Sequence, residues 1–181
     1  MVTDNVISAG NQQERPANSF KNIPLDMVWY LVGFVDGEGS FNVSFRKRSD
    51  YGIGWKLGLS FNISQKDPDI LYAMEKCFGC GTVRFRKDGV GYYEVCNFSD
   101  IQNIIIPFFD RYQLKTKKRF DFLAFRSIAK LVFTKQHLTR TGLVRVLELR
   151  EQMNGGGKRK FTNRYILETF RQESSETTRQ T

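Results

Sequence analysis

Residues 27–35, Met-Val-Trp-Tyr-Leu-Val-Gly-Phe-Val, form an almost unbroken apolar run that ends in Asp36-Gly37-Glu38-Gly39. From Leu25 to Asp36 the pattern reads as helix, with Asp26 near the N-terminus, where an acid is favoured. A surface helix carries one polar side, so a helix apolar nearly all round is expected to be covered on every side. Gly33 and Gly37 stand four apart on one face, where a second backbone can approach closely because no side chain intervenes. Directly after Gly39 the period becomes two: Phe41, Val43 and Phe45 alternate with Ser40, Asn42, Ser44 and Arg46, and Arg48 keeps that parity. A covered helix that delivers two carboxylates straight into a half-wet strand calls for a mixed α/β fold.

The same reading continues along the chain. Ser49–Gly54 is a loop, after which Trp55, Leu57, Leu59, Phe61 and Ile63 alternate with Lys56, Gly58, Ser60, Asn62 and Ser64. Both strands have one greasy and one polar, partly cationic side, as in an antiparallel sheet with one wet face. Asp67-Pro68 opens a helix through Ile70, Leu71, Met74 and Cys77 that stops at Gly79. Thr82–Lys87 and Tyr92–Phe98 make a second hairpin around Asp88-Gly89. Ser99 is expected to cap a helix reaching Phe109 and interrupted near Pro107. Helices follow over Lys117–Phe133 and Thr141–Met153, then a hinge at Gly155-Gly156-Gly157, a basic patch at Lys158-Arg159-Lys160 and a short helix over Arg164–Phe170. The order is αββαββα with extra C-terminal helices. Residues 1–24 read as a flexible polar arm, 25–171 as one domain and 172–181 as a disordered tail.

Composition narrows the partners. Lys and Arg number 28 against 19 Asp and Glu, a formal charge of +9. Such a surplus favours a polyanion, because each phosphate neutralised releases a condensed counterion. Charge alone does not separate an enzyme from a basic structural protein. No run approaches the ~20 apolar residues that cross a bilayer, and residues 1–24 have no apolar signal core. Three cysteines point to a reducing compartment. Cys77-Phe78-Gly79-Cys80 has no second pair and no nearby His, so it reads as reduced thiols rather than a zinc site. His137, the only histidine, rules out nuclease chemistry built on several histidines; beside Lys135 and Gln136 it reads as exposed. Tyr51-Gly52-Ile53-Gly54 reads as a turn.

The acids carry the chemistry. Taken alone, Asp36-Gly37-Glu38-Gly39 also fits a solvated helix end, but this helix is too apolar for a surface, and the acidic pair stands out in a basic chain. Two such helices about a two-fold axis bring two Glu38 carboxylates together, and close carboxylates at an anionic substrate need a divalent cation between them. The run Leu31–Gly39 resembles the signature of the LAGLIDADG homing endonucleases, in the form ending Asp-Gly-Glu-Gly. Ser60–Lys66 resembles the end of that family's second strand, and Pro107-Phe108-Phe109 with Leu114–Lys118 resembles its later proline–lysine segment. The resemblance covers roughly residues 27–153 and is to the group with one motif per chain, encoded in introns.

That resemblance implies a homodimer whose two curved antiparallel sheets form a saddle on double-stranded DNA. It implies a Mg²⁺-dependent double-strand cut across a minor groove with short 3′ overhangs, with Mn²⁺ substituting and Ca²⁺ supporting binding without cutting. Glu38 matches the metal-binding carboxylate, and the Gly37 carbonyl faces the metal. Asp36 matches the first, more supportive acid; Gln65 and Lys115 match the polar residues that order water at the scissile phosphate. Trp29, Tyr30, Val32, Gly33, Asp36 and Gly37 fall at the dimer interface. The DNA-reading face is expected to carry Ser40, Asn42, Ser44, Arg46, Arg48, Lys56, Ser60, Asn62, Arg84, Arg86, Tyr92 and Glu94. Their mixed donors and acceptors suit base edges in a major groove, although each alone also fits a solvated strand. Asp69 stands where some members have a basic residue, which puts one solvent-ordering group in doubt. An RNA-binding intron maturase and a DNA-binding regulator with a dead site are the alternatives. The expected compartment is the bacterial cytoplasm or an organelle.

Overall fold

The computed structural model describes residues 22–157 and 159–170. The expected tail at 172–181, nearly all of the expected N-terminal arm, and Lys158 of the basic patch therefore lie outside the described residues.

Helix α1, Leu25–Glu38, starts after Pro24 and runs two residues past the expected end. It buries Val28, Leu31, Val32 and Val35, a stripe spaced by three and four residues. The other side is open: Leu25 is 61%, Trp29 48% and Tyr30 55% exposed. The chain's own residues thus cover one stripe only and supply none of the expected cover on the other side. Trp29 rests edge-on against Tyr112, centroids 5.8 Å apart.

Strands β1 (Ser40–Lys47), β2 (Trp55–Gln65), β3 (Thr82–Phe85) and β4 (Gly91–Val95) form an antiparallel sheet ordered β1-β2-β4-β3. Phe41 pairs with Phe61 and Val43 with Leu59, so the alternation seen in sequence puts every apolar residue of this ribbon on one face. Phe41 stacks on Phe61 at 5.2 Å and meets Phe109 edge-on at 5.6 Å. All three are fully buried or nearly so, each contributing about 1.5–3 kcal/mol. The helices α2 (Asp69–Phe78), α3 (Phe98–Asp100), α4 (Ile106–Arg111), α5 (Lys118–Phe133), α6 (Arg140–Glu151) and α7 (Asn163–Glu168) complete the order. α2 ends at Gly79, whose φ of 62° is the left-handed stop.

Four local expectations are corrected. Asn97, not Ser99, caps the helix after β4: its Oδ1 accepts from the amides of Ser99 and Asp100. Pro107 does not interrupt that helix but sits in the first turn of α4, following a π turn at Ile101–Ile105 that widens the helix where proline offers no N–H. The three-glycine segment is pinned rather than hinged, since Asn154 donates its amide to Asp121 Oδ1 and its Nδ2 to the Phe41 carbonyl. His137 is partly buried in the 3₁₀ turn Gln136–Leu138, its Nδ1 3.4 Å from the Leu131 carbonyl, and burial lowers its pKa.

Cys80 is buried, Cys77 half-buried and Cys96 exposed. Burial pushes the Cys77 thiol up. Among the described residues no helix is long and apolar enough to cross a membrane.

Candidate active site and nucleic-acid interface

The wet face of the sheet is a grid of polar side chains set by strand register. One row crosses all four strands as Ser40, Asn62, Glu94 and Thr82, and the next runs Ser64, Tyr92, Arg84. Toward the far end of the β1–β2 ribbon stand Asn42 with Ser60, Ser44 with Gly58, and Arg46 with Lys56. All ten expected readers within the strands fall on this face. Ser64, Thr82 and Cys96, not named among the expected readers, share the face by parity with Asn62, Arg84 and Glu94. The Cys96 thiol is raised to about 11 by partial burial and then by the neighbouring Glu94 carboxylate, so it stays protonated.

Arg46 directly opposite Lys56 is unfavourable in a lone sheet, because like charges on facing strand residues repel. A polyanion lying over the face removes that cost. The two expected readers outside the strands are already engaged. Arg86 donates to Ser64 Oγ at 3.0 Å and lies over the Tyr92 ring. Arg48 presents its fork to Asp50 at 2.7 and 2.6 Å, which holds that exposed carboxyl down to about 2.

At the near end the acids separate into two roles. Asp36 faces back into its own chain: Oδ2 accepts the Lys115 amide at 2.9 Å, both oxygens accept the Thr116 amide at 3.1 Å, and Oδ1 accepts Thr116 Oγ1 at 2.8 Å. Thr116 Oγ1 in turn accepts the Lys118 amide, fastening the start of α5. Asp36 thus anchors the segment that carries Lys115. Thr116 was not singled out from sequence, although a Thr two residues ahead of a helix is a capping signal. Glu38, in contrast, is exposed, and its carboxylate makes no hydrogen bond or ion pair among the described residues.

Gly39 explains the last glycine of the motif. A Cβ there would lie 2.6 Å from Val35 Cγ1 and 2.7 Å from its carbonyl oxygen. At Gly33 and Gly37 a Cβ would meet nothing within 4 Å, so those two glycines leave a bare strip on the open side of α1. Of the residues expected at a dimer contact, Trp29, Tyr30, Gly33 and Gly37 lie on that open side. Val32, 4% exposed, is turned into its own core, and the Asp36 side chain is spent on the Lys115–Thr116 turn.

Because Ser40 pairs with Asn62, the α1–β1 junction and the last residues of β2 share one end of the sheet. Gln65 closes β2 there, its Oε1 accepting the Lys66 amide, and borders a groove with Tyr30, Phe34, Asp67 and Asp69. Asp69 accordingly sits in the first turn of α2, where its charge suits the helix dipole.

Among the described residues no three His, Cys, Asp or Glu side chains converge. The exposed Glu38 carboxylate fits a divalent ion completed by phosphate oxygens and water, since Mg²⁺ is commonly held by one or two carboxylates plus substrate phosphates.

Residues 31–129 match the family model described as LAGLIDADG endonuclease. The chain is 34% identical over 140 residues to probable intron-encoded endonuclease 2 of Neurospora crassa, covering 70% of this chain and 29% of that protein, and it spans only about a quarter of a second such Neurospora protein. Homing endonuclease I-ApeII of Aeropyrum pernix is 30% identical over 146 residues, 76% of this chain and 86% of that one. Among solved structures, the archaeal intron-encoded homing endonuclease I-Vdi141I complexed with DNA superposes with a TM-score of 0.73 at 30% identity, covering 81% of this chain and 96% of that one. The model match spans more than half of the chain and takes in the glycine-spaced acids, the wet sheet face and the Lys115 segment. The protein therefore belongs to the LAGLIDADG endonuclease family.

Proposed function

We propose that this protein is a site-specific homing endonuclease that makes a double-strand break in DNA as a symmetric pair of chains. The observation that carries the reading is Glu38: an unengaged, exposed carboxylate at the end of a helix whose other face is bare, beside a cationic sheet face. The Gly33–Gly37 strip supports close pairing of two α1 helices, which sets the two Glu38 carboxylates near the two-fold axis. A pair related by a two-fold axis reads a pseudo-palindromic target.

The reaction is hydrolysis of one phosphodiester bond in each strand. A divalent cation, Mg²⁺ in this reading, supplies Lewis-acid polarisation of the scissile phosphate and a more acidic water. Glu38 and the Gly37 carbonyl would hold it. Lys115, set in place by Asp36, offers an ammonium to the charge that develops on the phosphate. Gln65 offers an amide that orients water on the same side. The Arg, Asn and Ser grid of the sheet reads base edges, and its registers fix which base pair each side chain meets.

The test is cleavage of a linear duplex library by the native protein and by Glu38→Gln with Mg²⁺, and binding of the recovered duplex with Ca²⁺. The native protein is expected to cut, and the variant to keep most of its binding without cutting. A variant that cuts at the native rate overturns the assignment of Glu38. A native protein that binds a duplex but never nicks it overturns the nuclease and favours a DNA-binding regulator.

A further inference from the structure

The end of the β1–β2 ribbon farthest from Glu38 is clasped from behind by the last described segment of the chain. Trp55, 1% exposed, is the first residue of β2 after the loop at 48–54. Its Nε1 donates to Thr169 Oγ1 at 3.2 Å, and its ring meets Phe161 at 5.0 Å and Tyr165 at 5.9 Å, both edge-on. On the neighbouring strand, Lys47 Nζ donates to Tyr165 OH at 3.2 Å. Deeper in, the buried Arg150 ties the two parts together: its Nε donates to the Val43 carbonyl of β1 and its Nη1 to Asn163 Oδ1 of α7. These contacts all join residues more than a hundred positions apart, or join α6 to α7, and they lie on the dry side of the ribbon. The wet side keeps Arg46 and Lys56 for a ligand.

We propose that residues 159–170 form a brace that positions the distal ribbon and the 48–54 loop, and so set discrimination at the outermost base pairs of each half-site. This rests on the DNA-cutting reading above. From Ser40 to Lys47 is seven steps of about 3.3 Å, or roughly 23 Å. At about 3.4 Å per base pair the braced end reaches about seven base pairs outward from the acids. A two-stranded ribbon anchored only at its inner end would twist and flex over that span, and small shifts there separate a reader from its base edge. The brace residues are positioning residues: none of them stands on the wet face.

The experiment uses the full chain, with the doubly changed Tyr165→Ala/Thr169→Val protein and the milder Lys47→Met as a second variant if the first fails to fold. A duplex library randomised through both half-sites is cut by each protein in Mg²⁺, and hydrogen exchange is measured without DNA. Loss of the brace is expected to raise exchange at residues 48–54 and to lower discrimination at the outermost positions by about fivefold to tenfold. Preference at central positions and the cutting rate at saturating protein are expected to hold within about twofold, as for distant sites that do not couple. An even loss of preference at all positions overturns the brace, as does unchanged preference with exchange raised only within 159–170. If the native protein cuts nothing, the nuclease reading fails, and the exchange at 48–54 alone decides whether the brace holds the loop.

Discussion

Asp36 on α1 and Thr116 ahead of α5 are locked together by the Thr116 amide, which bonds both carboxylate oxygens at 3.1 Å, and by its hydroxyl, which bonds Oδ1 at 2.8 Å. The first acid of the motif is thus a fastener between two helices, and Lys115 is carried on the fastened turn. Asp36→Asn keeps the size but replaces a charged acceptor with a neutral one and turns an N–H₂ toward two amides. A hydrogen bond to a charged group is worth about 1.5–3 kcal/mol, so a stability loss of that order is expected in denaturant titration. Cutting is expected to fall at least tenfold while DNA affinity changes little, because Lys115 moves and the sheet does not. Native stability in Asp36→Asn would show that the fastener is not made in solution.

Glycines of the motif are expected to divide by their surroundings. Gly39→Ala forces a Cβ against Val35 inside the chain, and an overpacked site of this kind costs about 1–3 kcal/mol. Gly33→Ala meets nothing in its own chain, and alanine is the better helix former by about 0.5–1 kcal/mol. The lone chain is then at least as stable as before. Sedimentation over a concentration series is expected to show a folded Gly33→Ala protein whose association is weakened. A variant that associates as tightly as the native chain removes this strip from the contact.

What was legible in sequence was whatever a period or a spacing encodes. The alternation of Phe41–Phe45 and Trp55–Ile63 marked the wet face, because a slip of one residue would turn every apolar side chain outward; the pairing of Phe41 with Phe61 was not legible, since a slip of two residues keeps both faces. The run Leu31–Gly39 located the acids. Three further things were not legible. The cap at Asn97 depends on which of several adjacent polar residues the backbone reaches. The pinning of the Gly155–Gly157 segment comes from Asp121 and Phe41, which lie 33 and 113 residues away from Asn154 in sequence. Val32 looked like any other apolar residue of its helix, and only the packing of the chain shows which stripe of α1 is spent on its own core.

His137 makes folding sensitive to mild acid. Its ring is partly buried against the Leu131 carbonyl, and burial favours the neutral imidazole, so the folded pKa lies below the ordinary 6.5. The unfolded chain therefore takes up the proton first as pH drops. Stability is full above about pH 6.5 and declines below it, levelling off only beneath the folded pKa. Urea midpoints measured from pH 8 to pH 5 are expected to fall, and His137→Gln is expected to flatten part of that slope. A slope identical in the two proteins would show that carboxylates alone set it.

Arg46 and Lys56 face each other across β1 and β2, while the Lys56 ammonium also lies 5.9 Å over the Tyr51 ring and attracts the Asp50 carboxylate. In the absence of a polyanion this pair repels, and a charged-to-neutral change at one position relieves the strain. Lys56→Gln also gives up the attractions to Tyr51 and Asp50, so thermal stability is expected to stay within about 0.5 kcal/mol of the native value. If Lys56 meets a phosphate on DNA, its loss lowers the magnitude of the slope of log affinity against log salt by about one and weakens binding to all duplexes alike. If it reads a base, the slope is unchanged and discrimination relaxes at one position of each half-site. Fluorescence anisotropy of a labelled duplex between 50 and 300 mM salt (a span of about these concentrations gives a measurable slope) separates the two. Binding that is insensitive to the change in both respects would mean that the face carrying Arg46 and Lys56 does not lie on DNA.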